Sequence, residues 1–516
     1  MSRPLRYALP AAAAALLAIA GCGDEDVDSG PAAVVPESAP VYLDVSLRPE
    51  GEAREGAEAA LGRILDSEDP GPKVIELTER VAAAEGEDFN YEEDVEPWLG
   101  EKFAIFLTTI GGDTTDSEGG FVFETTDPDR ALDYLRTAPD STGRTEEYEG
   151  VEYEFDSDGE VFGAVDDFIV GGDEAAFKAA VDSADDESLA DSDEFSEAAD
   201  DLPDDSLATF YLPPERFFDA VNDQELDAQS RSLLDQALGE FGDQPVLGGL
   251  TASEDGVTVE FSAGGGGVET SESGLLAEIP AEAWLAVGFA DVGAAVQNAI
   301  EQVDRVGFPG LDAAAVREQL RGRSGINLEQ DVIEPLGDAA IFVQGTTQRD
   351  LGGALIIETS DPAGSGELLA KLQTLIAREG GREVKVAPLA SAGGDQGFQI
   401  TDPTGGLPQP IRVVQRDDRI IAGYGGAAVD QALSGAEAPS LSASATFKSA
   451  QEVLGDLGVD AFLSFAPVLA LAESAGVTAD PGYQQAKPYL DGLDFLAVGS
   501  GADDDRSLLR LIVGLK

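Results

Sequence analysis

Phe89-Asn90-Tyr91-Glu92-Glu93-Asp94-Val95, closing on Leu99-Gly100, returns later in the chain as Ile326-Asn327-Leu328-Glu329-Gln330-Asp331-Val332, closing on Leu336-Gly337. The two blocks align without a gap, 237 positions apart. A recurrence at this period is the mark of a duplicated architecture and has to be sought before any domain is drawn. Other blocks follow in the same order. Glu124-Thr125-Thr126-Asp127-Pro128 matches Glu358-Thr359-Ser360-Asp361-Pro362, each after an apolar strand and before a helical stretch. Asp167 to Gly172 parallels Asp418 to Gly423, and Val246 to Phe261 parallels Phe495 to Leu511. The offset drifts from block to block, as loop insertions would produce.

Two copies are therefore expected, a first repeat over 36–263 and a second over 279–516. A linker over 264–278 joins them, opened by Gly264-Gly265-Gly266-Gly267, a flexible composition. Alternation and β-branched or aromatic residues place strands at Val41–Val45, Phe103–Thr108, Phe121–Glu124, Val151–Phe155, Val161–Val165 and Phe168–Val170. Asp156-Ser157-Asp158-Gly159 and Ser253-Glu254-Asp255-Gly256 read as hairpin turns. Helical spacing is found at Ala53–Leu65, Val74–Ala84, Arg130–Leu135, Ala175–Val181 and Gln229–Leu238. Strands joined by hairpins with helices inserted predict an α+β fold: two tandem related domains, each an antiparallel sheet with helices packed on one face.

The start of the chain reads as an export signal over 1–21. Arg3 and Arg6 precede an apolar run from Tyr7 to Ala20 that is shorter than the roughly 20 residues of a permanent span. Ile19-Ala20-Gly21-Cys22 resembles the bacterial lipobox, which implies lipid on Cys22, cleavage before it and a tether over 22–35. Cys22 is the only cysteine among 516 residues, so an intramolecular disulfide is impossible. The lipid would hold the protein extracytoplasmically on the outer face of the cell membrane, or on an outer membrane if one is present. A diacylglyceryl group supplies the two chains that stable anchoring takes. The later apolar stretch Ala461–Ala472 contains Pro467 and is too short to span; it reads as a core strand and turn.

The net charge of −70, from 101 acids against 31 bases, repels phosphate backbones and argues against nucleic acid as a partner. With 43% hydrophobic residues the chain still has the material for sizeable cores. No histidine is present, which excludes a Ser-His-Asp triad, a Cys-His pair and a histidine-ligated zinc site. None of S-x-x-K, G-x-S-x-G or G-x-x-x-x-G-K occurs. No catalytic, metal-binding or cofactor-binding residue is assigned, and no cofactor is expected. The turn from Asp156 to Glu160 lacks the twelve-residue calcium-loop pattern. Trp98 and Trp284 are expected in core packing rather than in carbohydrate stacking.

Val35-Pro36-Glu37-Ser38-Ala39-Pro40-Val41-Tyr42-Leu43 and the block from Asp94 to Gly100 resemble the bacterial domain of unknown function 3352 family. The resemblance would cover nearly the whole mature chain and implies a fold, with no functional residue to carry over. The leading expectation is a non-catalytic, membrane-anchored lipoprotein of the cell envelope that binds a protein, glycan or small ligand. A carboxylate-dependent glycan hydrolase, with facing acids across a cleft, is one alternative. A carrier of an apolar molecule, with an apolar cavity between helices and sheet, is the other. Oligomeric state is left open.

Overall fold

The computed structural model describes residues 30–85, 89–111, 117–137, 141–185, 187–203, 205–222, 244–264, 273–306, 317–318, 321–322, 324–379, 384–389, 395–404, 406–435, 439–503 and 506–516. Cys22, the export signal, and the helix expected at Gln229–Leu238 lie outside them. The chain is a mixed α/β protein with antiparallel strand pairing. It divides into two compact units, one of 1–267 with 503–508 and 515, the other of 268–502 with 509–514 and 516.

In the first unit the strands are β1 (Val41–Ser46), β2 (Leu99–Thr109), β3 (Glu118–Thr125), β4 (Ser141–Tyr148), β5 (Val151–Asp156), β6 (Val161–Val165), β7 (Phe168–Gly172), β8 (Ala208–Leu212), β9 (Val246–Ser253) and β10 (Gly256–Gly264). Their pairings give the order β10-β9-β8-β1-β2-β3-β7-β6-β5-β4. The helices are α1 (Gly51–Leu65), α2 (Pro70–Glu85), α3 (Pro128–Arg136), α4 (Glu174–Asp185), α5 (Asp193–Ala199) and α6 (Pro214–Asn222). Gly56 allows α1 to lie against β9, since a Cβ there would stand 2.0 Å from the Ala252 carbonyl oxygen.

Helices were expected on one face only, and the first unit corrects this. Successive strand residues point to opposite faces, and Val170 and Ile169 enter different cores. Val170 joins Tyr42, Ala104, Phe106 and Val122 under Ala176, Phe177 and Ala180 of α4. Ile169 joins Trp98, Phe103, Phe121 and Phe123 under Ala131 of α3. Both faces of β3 and β7 are apolar, so each needs a cover. Trp98 is buried as expected; its ring lies 5.8 Å from Tyr134 and its Nε1 donates to the Asp94 carbonyl at 2.6 Å.

The second unit contains β11 (Ala283–Phe289), β12 (Leu336–Gln344), β13 (Gly352–Thr359), β14 (Lys385–Pro388), β15 (Gln396–Thr401), β16 (Ile411–Arg416), β17 (Arg419–Tyr424), β18 (Ala461–Ser464) and β19 (Leu493–Asp503). These pair in the order β19-β18-β11-β12-β13-β17-β16-β15-β14. β20 (Arg506–Leu515) pairs with β19, and its residues 509–514 belong to this unit. The helices are α7 (Val292–Val306), α8 (Pro362–Glu379), α9 (Gly426–Ser434), α10 (Ala445–Leu454), α11 (Phe465–Ser474) and α12 (Pro481–Leu490). Ala461–Ala472 is thus a short strand followed by helix α11, not a strand and turn. Pro467 sits in the first helical turn, where the missing N–H costs no intrahelical bond.

Segments read as connectors turn out to be partly structural. Pro31–Val34 forms a 3-10 turn that buries Ala32 and Val34 in the first unit. Gly264 closes β10, and Gly274–Glu278 forms a turn that buries Leu275 and Leu276 in the second unit.

Candidate functional site

The second unit's sheet has two faces of different quality. On one, the register aligns Ala354, Phe342, Ala286, Phe462 and Ala497 across β13, β12, β11, β18 and β19. Each of these is at most 5% exposed, sealed by Val429 of α9 and by Phe447, Ala450 and Leu454 of α10. The opposite face carries the row Leu355, Ile341, Val287, Ala461 and Val498, and beside it Val343, Leu285, Leu463 and Leu496. Every one of these is apolar, yet none is buried. Ile341 is 39% exposed, and Phe289 and Leu509 are each 45% exposed. A closed protein layer packs like an organic crystal and leaves few such surfaces.

The helices beside this face repeat the pattern. α11 reads Phe465-Ala466-Pro467-Val468-Leu469-Ala470-Leu471-Ala472, packs next to β11, and buries no residue. α12 likewise buries none. The two are tied at their polar ends. Tyr483 Oη donates to Glu473 Oε1 at 2.9 Å, and Lys487 Nζ lies 2.9 Å from both Glu473 and Asp491. The Asp491 and Glu473 carboxylates hold the Lys487 ammonium well above the usual lysine range. In return, Lys487 and then Tyr483 hold Glu473 below the usual carboxylate range. Half-buried apolar side chains on sheet and helix, with ionic ties at the rim, make a surface able to take up hydrocarbon.

One acid shares this face. By alternation Asp494 points to the same side as Leu496 and Val498 on β19. Burial raises its pKa above the usual aspartate value, and Lys516 opposes this only as a charge. No described group donates it a hydrogen bond; the Lys516 ammonium donates instead to the Asp491 carbonyl at 2.7 Å.

The other residues singled out in the sequence are placed elsewhere. Asp156 folds its turn back on itself: its Oδ1 accepts from the N–H groups of Asp158 at 2.8 Å and Glu160 at 2.9 Å. Among the described residues no group of three or more acids is arranged to hold a metal. Trp284 is half-buried, with its Nε1 donating to the Gly345 carbonyl at 2.9 Å. Glu101 is raised first by burial and then by Glu124, whose Oε2 is already engaged by the N–H groups of Glu101 and Lys102. No described helix is long and apolar enough to cross a membrane. The open face was missed in the sequence, although Ala283-Trp284-Leu285-Ala286-Val287-Gly288-Phe289 is apolar at both parities, the signal of a strand covered on two sides.

A family profile described as "Protein of unknown function (DUF3352)" matches residues 9–508. The chain belongs to that family. The family's match spans both units, including every strand of the open face except the end of β20. No curated protein matches the chain. Among solved structures, crystal form IV of TP0453 is similar at 11% identity, covering 78% of this chain and 95% of that one, with a TM-score of 0.17. Crystal form I of TP0453 is similar at 10% identity over 80% and 98%, also with a TM-score of 0.17.

Proposed function

We propose that this DUF3352 protein is a non-catalytic, lipid-anchored binding protein of the cell envelope, built from two tandem related domains, whose second domain carries an apolar ligand. The observation that carries the reading is the row Leu355, Ile341, Val287, Ala461 and Val498, apolar in the middle of a sheet and at no point fully buried. Each methylene withdrawn from water there contributes about 0.8 kcal/mol, so a chain of about ten carbons offsets a substantial ordering cost.

Matched local chemistry supports the tandem relation. Asn90 N–H donates to Asp94 at 3.0 Å, and Asn327 N–H donates to Asp331 at 2.9 Å. Each pair opens a π-helical turn, Tyr91–Val95 and Leu328–Ile333. Thr125 N–H donates to the Asp167 carbonyl at 2.9 Å, and Thr359 N–H to the Asp418 carbonyl at 2.8 Å. The hairpins closing on those acids each hold an aspartate at positive φ, Asp166 at 50° and Asp417 at 52°. The lipid anchor and the extracytoplasmic location rest on the lipobox-like residues ending at Cys22.

The binding reading is tested by titrating an environment-sensitive hydrocarbon fluorophore into the mature chain and into Val498→Trp, which fills the face. Saturable binding to the natural chain, abolished by the substitution, is expected. Unsaturable binding, or equal binding to both, would overturn it.

A further inference from the structure

We propose that the apolar face of the second unit selects amphiphiles whose head group donates hydrogen bonds and carries positive charge, through Asp494; this rests on the apolar-ligand reading above. Among apolar neighbours in the strand, β19 presents Asp494, Leu496 and Val498 to one side, so an extended chain lying along Leu496 and Val498 brings its end to the carboxylate. A strand advances about 3.3 Å per residue, which puts Asp494 and Val498 about 13 Å apart, the span of roughly ten carbons. The carboxylate has lost part of its water without gaining a donor among the described residues. A half-buried acceptor in that state is rewarded more by an incoming N–H than one already hydrogen-bonded. The acids nearby are committed elsewhere: Glu473 to Tyr483 and Lys487, and Asp491 to Lys487 through its side chain and to Lys516 through its carbonyl. The preference for a cation follows from charge. The one base whose charge acts on Asp494 is Lys516, so a carboxylate head would meet a second negative charge there with that single ammonium to offset both.

The test uses the full mature chain and two probes of one chain length, dodecylamine and dodecanol, below their aggregation limits. Binding is measured calorimetrically at about 0.2 M salt, where screening confines electrostatics to roughly 8 Å and suppresses attraction by the molecule's overall negative charge. Asp494→Asn is compared with Glu452→Gln, which removes an exposed acid of α10. The expected result is an approximately tenfold loss of dodecylamine affinity in Asp494→Asn, a smaller loss for dodecanol, and no change in Glu452→Gln. Binding of both probes with dodecylamine unaffected by Asp494→Asn would overturn the head-group inference and leave the apolar site standing. Failure of both probes to bind the natural chain would overturn the site itself. An equal loss in Glu452→Gln would reduce the effect to net charge and also overturn the inference.

Discussion

Asp395 and Asp494 are shifted in opposite directions from the ordinary aspartate value by their surroundings. Arg416 grips Asp395 with two hydrogen bonds, Nε to Oδ1 at 2.8 Å and Nη2 to Oδ2 at 2.7 Å, and so keeps its pKa below the ordinary value. Asp494 is raised by burial. A lowered carboxylate contributes stability at pH values above its unfolded pKa, and that contribution disappears as pH falls through the folded value. A raised one does the reverse: the fold favours its protonated form, and that advantage fades as pH rises through the folded value. Asp395→Asn should therefore destabilise the protein by about 1 kcal/mol at neutral pH, a modest sum because Arg416 is half-exposed, with the deficit shrinking in acid. Asp494→Asn should raise stability at neutral pH and lose that gain in acid. Urea midpoints of both variants across the carboxylate range check the signs; parallel pH dependences would refute the assignment.

Adjacent residues of β19 set the expectation for whole elements. Ala497 is fully buried and lies in a sealed core with Phe462, Phe495 and Ile512, whereas Val498 is half-buried on the open face. Overpacking a closed core costs typically about 1–3 kcal/mol, and a tryptophan in place of alanine stands at the upper end. Thermal unfolding should show Ala497→Trp strongly destabilised and Val498→Trp close to the natural chain. Equal losses would mean that both faces are closed. Most strands of the first unit were legible because one-residue alternation and turn residues coincide, as at Val161–Val165, where prediction and structure agree to the residue. Helix α4 was legible because Ala176, Phe177, Ala180 and Val181 recur at helical spacing and are all buried. The second face of β3 and β7 was not, since Phe121-Val122-Phe123 and Ile169-Val170 are apolar at every position and pattern alone assigns no cover. Helix α11 was obscured by Pro467, which breaks a helix interior but is tolerated in a first turn. Asp494 was one acid among 101, and only register placed it among leucine and valine.

At the scale of the molecule, the chain divides into two compact units, and its sequence opens on a segment that ends in a lipobox-like cysteine. Growing cells on an alkyne-bearing fatty acid should label the natural chain and not Cys22→Ala; equal labelling of both would remove the anchor and with it the envelope location. The net charge of −70 makes copies of the chain repel one another and so favours solubility. The unequal faces of the second unit carry an evolutionary consequence. Rigidity comes from the side occupied by Phe342, Phe447 and Phe462, so exchanges at the half-buried Leu285, Val287 or Leu496 should draw little on the reserve that keeps the domain folded. On the apolar-ligand reading proposed above, that side alone can drift toward other cargo while the scaffold stays untouched.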